Sequence, residues 1–125
     1  MHVTPESQEY GGLLVWKSQD RFLRFEKTSS SDAFKGDIRF ERHSWRDRHL
    51  IKRVSELRNA SSLYMRLERR GQIFNAYASA NGINWLDCGT DIMGVGDPIS
   101  VGIYGLAPGE APATTTQFDY FRIMR

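Results

Sequence analysis

Apolar and polar residues alternate with a period of two through most of this chain, and turn-forming residues interrupt the alternation about every 8 to 12 positions. That period puts neighbouring side chains on opposite faces of a strand. In residues 21–27 (RFLRFEK), Leu23 and Phe25 share one face, and Phe22, Arg24 and Glu26 share the other. Residues 37–42 (DIRFER) alternate the same way, with Ile38 and Phe40 inward. Residues 12–17 (GLLVWK) and 99–104 (ISVGIY) are apolar enough for buried strands, 49–54 (HLIKRV) suit a partner strand, and 115–123 (TTQFDYFRI) read as a closing strand. Gln19-Asp20 suits a short hairpin loop. Residues 28–35, 44–48, 56–62 and 105–113 read as loops or turns, and the glycine-rich 89–98 as irregular. No segment keeps a helical period. Short strands with frequent turns predict an all-β antiparallel sandwich, with residues 1–125 as one domain.

Residues 63–85 (LYMRLERRGQIFNAYASANGINW) predict a β-hairpin, a tight turn and a tryptophan. A two-residue turn at Arg70-Gly71, with glycine supplying positive φ, sets Leu67 opposite Phe74, Met65 opposite Ala76 and Leu63 opposite Ala78. On the other face it sets Arg66 opposite Asn75 and Tyr64 opposite Tyr77. A one-residue slip would mix the faces. Asn81-Gly82 is a second two-residue hairpin signal.

Composition changes this picture little. With 40% hydrophobic and 26% charged residues the chain matches an ordinary globular domain. No apolar run approaches the roughly 18 residues of a membrane span, and the first residues lack the apolar core of a signal peptide, so neither is expected and the compartment is not indicated. The single cysteine, Cys88, reads as a small half-buried residue, with no nucleophile motif around it. Charge is uneven: Arg39, Arg42, Arg46, Arg48, Lys52, Arg53 and Arg58 crowd one stretch. Such a patch is a solvated loop pair or a surface for an anionic polymer.

GLLVW, RFLRFEK, the 63–85 hairpin, ISVGIYGLAP and QFDYFRIMR, in that order, resemble a bacterial family of concanavalin A-like lectin/glucanase domains. The family includes the regulation-of-enolase-protein type and the sandwich modules appended to family-43 glycoside hydrolases. The resemblance runs from Gly11 to Arg125 and is most specific in the hairpin. It implies a jelly roll. It also implies a structural role for Trp85 after the turn, and a tie between Asp119 and a structural calcium; one carboxylate does not make a cation site, so no cofactor or metal is expected. The family's Asp-Gly turn is Asn81-Gly82 here. Such domains begin with strands that would precede Val3, so the chain reads as a trimmed piece whose exposed sheet edge favours a homodimer.

Retaining glycosidases place two carboxylates about 5 to 5.5 Å apart. Asp37 and Glu41 share a strand face but stand about 13 Å apart by strand rise, so no catalytic residues are expected and the chain is read as a non-enzyme. Sugar binding needs aromatic platforms beside planar polar groups. The candidates are Tyr64, Arg66, Asn75 and Tyr77, joined by Arg24, Glu26 and Trp16, with Trp45 as a rim platform. The expected function is therefore a non-catalytic carbohydrate-binding module, with an oligo- or polysaccharide as partner and no membrane. A structural or protein-interaction sandwich is the rival, and an arginine-loop nucleic-acid binder a weaker third.

Overall fold

The computed structural model describes residues 2–4, 10–28, 36–60, 63–92, 100–106 and 117–118. They form ten strands: β1 (His2–Thr4), β2 (Tyr10–Ser18), β3 (Arg21–Lys27), β4 (Ile38–Ser44), β5 (Asp47–Val54), β6 (Leu63–Arg70), β7 (Ile73–Ser79), β8 (Leu86–Ile92), β9 (Ser100–Leu106) and β10 (Gln117–Phe118). Two antiparallel sheets result. Sheet I has the order β10-β1-β6-β7-β8, and sheet II the order β5-β4-β3-β2-β9. No helix occurs among the described residues.

The sheets share one apolar core and so form a β-sandwich. Sheet II contributes Leu13, Val15, Leu23, Phe25, Ile38, Phe40 and Val54, and sheet I contributes Leu63, Met65, Phe74, Ala76, Ala78 and Cys88. These are the inward positions that the period of two predicts. Phe25 and Phe40 meet edge to face at 5.8 Å, the arrangement that ring quadrupoles favour. Along one side of the sandwich Arg42 of sheet II pairs with Asp91 of sheet I.

Three expectations need correction. The β6–β7 hairpin turns at Gly71-Gln72, not Arg70-Gly71, so Arg70 pairs with Ile73, Leu67 with Ala76 and Arg66 with Tyr77. Gly71 takes its positive φ (61°) at the first central position, as in a type II′ turn. Each partner has moved by two residues, which keeps every side chain on its predicted face. The β7–β8 connection is also longer than a two-residue turn. Ser79 Oγ accepts from the backbone N–H of Asn81 and Gly82, and Asn81 Oδ1 accepts from those of Ile83 and Asn84. These local bonds build a wider loop in place of the tight turn. Finally, the stretch from Gly89 is not irregular at its start, because β8 continues to Ile92. A bulge there sets Asn75 opposite Thr90 and Tyr77 opposite Asp87, with Gly89 at φ 114°. Of the predicted closing strand, residues 117–118 are described and the remainder lies outside the described residues.

Candidate functional site

The outer face of sheet II is built on a repeated tripeptide. Arg24-Phe25-Glu26 on β3 and Arg39-Phe40-Glu41 on β4 have the same sequence. Antiparallel pairing centred on Phe25–Phe40 sets Arg24 opposite Glu41 and Glu26 opposite Arg39. Each arginine therefore faces a carboxylate across the strands, a favourable cross-strand pair. The phenylalanines point into the core and the charged side chains point out.

The carboxylates of this face are nevertheless buried, with Glu26 at 0% and Glu41 at 1% exposure. Glu26 accepts from Arg39 Nε at 2.6 Å and from Arg24 Nη2 at 2.9 Å. Glu41 accepts from Arg48 Nε at 3.0 Å and contacts His43 Nε2 at 2.8 Å. Arg24 and Arg39 lie within 4 Å of Glu41 as well, so they join the two carboxylates into one network. Burial pushes the Glu41 carboxyl upward, but the His43 contact and the charges of Arg39 and Arg48 outweigh it and hold the group below its ordinary range.

Beside this network runs an aromatic row. The registers align Trp16 with Phe22, Phe22 with His43 and His43 with Arg48 across four strands. At typical strand spacing the row spans about 14 Å. Trp16 and Phe22 stack at 5.2 Å and 23°, and Phe22 and His43 at 4.3 Å and 10°. Rings this close and this parallel must face one another along the row. One face of Trp16 is thus against Phe22, and the other is turned toward β9. There Trp16 pairs with Ser100, and Leu14 with Gly102. A Cβ built on Gly102 meets nothing within 4 Å, so small residues leave a trough beside the indole, which is 37% exposed.

At the same end of sheet II, Trp45 and Arg46 form the β4–β5 turn, closed by Ser44 opposite Asp47. Trp45 has φ 55° and is 74% exposed. A bulky residue in the left-handed region costs on the order of 1–3 kcal/mol, and its exposure gains nothing back from the core. Its backbone N–H donates to the Asp20 carbonyl of the β2–β3 turn, which ties the two turns together.

The candidates from sequence divide between two opposite faces. Trp16, Arg24 and Glu26 lie together on sheet II. Tyr64, Arg66, Asn75 and Tyr77 lie on the outer face of sheet I, as predicted for the hairpin, but across the sandwich from the first group. On sheet I the planar groups stack on each other: the Arg66 guanidinium sits 4.9 Å from the Tyr77 ring and 4.4 Å from the Trp85 ring. Asn75 Oδ1 accepts from the Thr90 hydroxyl at 2.7 Å, and Arg66 reaches Glu68 at 3.5 Å. Trp85 is half-buried in this stack. From the sequence, Glu26 groups with Arg24 and Trp16, but Phe22, Glu41, His43 and Arg48 are not among the site candidates; the paired RFE tripeptides are the signal that joins them. Asp119 lies outside the described residues.

Cys88 is buried. Desolvation pushes its thiol up to about 12, which leaves about one thiolate in ten thousand at pH 8. We expect Ellman's reagent at that pH to leave the native protein unlabelled and to label it fully in guanidinium; rapid native labelling would contradict the burial.

Compared with protein-family models and with curated proteins, the chain matches none, and its likeness to the concanavalin A-like family rests on the motifs quoted above.

Proposed function

We propose that the chain is a non-catalytic carbohydrate-binding module with a concanavalin A-like, jelly-roll sandwich, and that the sugar lies on the outer face of sheet II. Two five-stranded antiparallel sheets around one core, with the family's motifs in order, support the fold. The observation that carries the function is the exposed indole of Trp16 beside the small residues Ser100 and Gly102. A pyranose presents an apolar C–H face that stacks on an indole, and its hydroxyls are hydrogen-bonded by planar polar groups. Arg24 and Arg48 supply such groups close by. The hairpin face of sheet I is the weaker candidate, because the Arg66 guanidinium already covers the Tyr77 and Trp85 rings.

The carboxylates of sheet II argue for binding without hydrolysis. A glycosidase needs one carboxyl held protonated as general acid, its pKa raised by its surroundings. Glu26 and Glu41 are each in contact with guanidinium groups, and Glu41 is driven toward the anion.

The test is calorimetric titration of a glycan panel against the parent and two variants. Trp16→Ala removes the platform, and Gly102→Val fills the trough. Each should weaken binding at least about tenfold, or about 1.4 kcal/mol, with the native fold confirmed by circular dichroism. Binding that survives both but is lost in Tyr77→Ala would move the site to sheet I. No glycan binding at all would leave a structural or protein-facing sandwich.

A further inference from the structure

Resting on that reading of the site, we infer that its ligand is an acidic saccharide, one whose sugar rings carry carboxylates. The charge of the face is the first observation. Arg24, Arg39, Arg48 and Arg53 point outward from sheet II against three carboxylates of the same face, Glu26, Asp37 and Glu41, all already bonded to guanidinium groups. A neutral glycan has no use for a surplus of positive charge, whereas a uronate carboxylate matches the planar fork of a guanidinium in geometry as well as sign.

The second observation concerns where that charge is accessible. Arg48 closes the Trp16–Phe22–His43 row, is 53% exposed and bonds Glu41 through Nε. Arg46 follows in the turn, is exposed and has no ion pair among the described residues. Trp45 beside it, exposed and in the left-handed region, supplies a second aromatic surface. The row therefore offers a ring platform at one end and cations with another indole at the other, about 14 Å apart. A short run of sugars could place a ring on Trp16 and a carboxylate against Arg48 or Arg46.

A matched pair of probes tests this: an oligogalacturonate, and the same oligosaccharide fully methyl-esterified, which keeps the rings and hydroxyls and removes the charge. The acid form should bind at least about tenfold more tightly, and its affinity should fall as salt is raised. Arg46→Gln, at an exposed residue with no ion pair among the described residues, should weaken the acid form severalfold and leave the ester unchanged; Arg48→Gln should weaken the acid form more than it weakens the ester, with folding checked by circular dichroism. Equal, salt-independent binding of acid and ester, or an acid-form affinity untouched by Arg46→Gln, would overturn the inference while leaving a neutral-sugar module in place. Binding of neither probe, with an empty glycan panel, would overturn both readings. Single-stranded RNA binding as tightly as the oligogalacturonate, and without need of Trp16, would replace the inference with a general polyanion surface.

Discussion

Gly12→Ala should destabilise the fold by about 3 kcal/mol, the upper end of the usual cost of overpacking, with a matching drop in the urea midpoint. Gly12 lies within β2, opposite Glu26 on β3 and Tyr104 on β9. A Cβ there would stand 2.7 Å from Glu26 Cα and 2.9 Å from Glu26 Cβ, and would collide with the Phe25 carbonyl oxygen. The obstacle is backbone together with the first atom of a side chain, so no rotamer change relieves it. Strands β2 and β3 must separate or twist where Phe25 enters the core and Glu26 bonds Arg39. The loss is a large part of the 5–15 kcal/mol that holds a domain of this size together. Gly102→Ala is the control. It changes the neighbouring strand, on the same outer face, at a place where the added Cβ meets nothing, so its effect should lie within about 1 kcal/mol of zero and can be stabilising. Equal losses in the two variants would mean that strand propensity, rather than the close approach at Gly12, governs both.

The contrast between these glycines marks the boundary of what the sequence made legible. Strand positions and inward faces were readable because a half-buried strand writes its burial into every second residue, as in Leu23 and Phe25 or Leu63 and Met65. Even the wrong turn at Arg70-Gly71 left the faces correct, since a shift of two keeps parity. Pairing partners were less readable, because they depend on which turn position takes positive φ, and glycine can serve at either. At Asn81-Gly82 the dipeptide gave no sign that the Ser79 and Asn81 side chains would capture the backbone. Gly12 and Gly102 look alike in sequence; a close approach and an open trough are distinguished only by what lies across the sheet.

The candidate site shows the same limit. Arg24 and Tyr77 both fall on polar, outward faces in the sequence pattern, but outward has two meanings in a sandwich. Which sheet each strand joins depends on long-range pairing, and β6–β7 joins the sheet that does not contain β2–β3. Charge complementarity carried more information than single residues did. Two RFE tripeptides can pair antiparallel around their phenylalanines with every arginine opposite a glutamate, and this relation was present in the sequence before any coordinate.

Asp37→Ala should cost about 3 kcal/mol, toward the range for breaking a buried ion pair. The Asp37 carboxylate has no exposure to solvent. It accepts from Arg53 Nε, from Ser55 Oγ at 2.9 Å and from Arg58 Nε at 2.7 Å. Lys27 is buried nearby, donates to the Gly36 and Arg58 carbonyls, and has its pKa lowered by desolvation, which the Asp37 charge partly offsets. Removing Asp37 therefore strips a buried ammonium of its counter-charge and releases the turn after β5 from the start of β4. Acid should reproduce part of this loss. Burial pushes the Asp37 carboxyl up, but hydrogen bonds from Arg58, Arg53 and Ser55 outweigh it and bring it to about 2, against 3.8 for an unperturbed aspartate. The folded state thus holds the proton less tightly than the unfolded chain. The stabilisation is present in full above about pH 4 and disappears as the pH falls toward 2. Both guanidiniums are partly exposed, so solvent screening reduces the pH-dependent part to about 1–2 kcal/mol. Urea unfolding of the parent and of Asp37→Asn from neutral pH to pH 2 measures it directly. The parent curve should fall more steeply than the variant's between pH 4 and 2, and the two should run parallel above pH 5. Parallel curves throughout would mean that Asp37 titrates alike in both states and that its bonds to Arg53 and Arg58 add no stability.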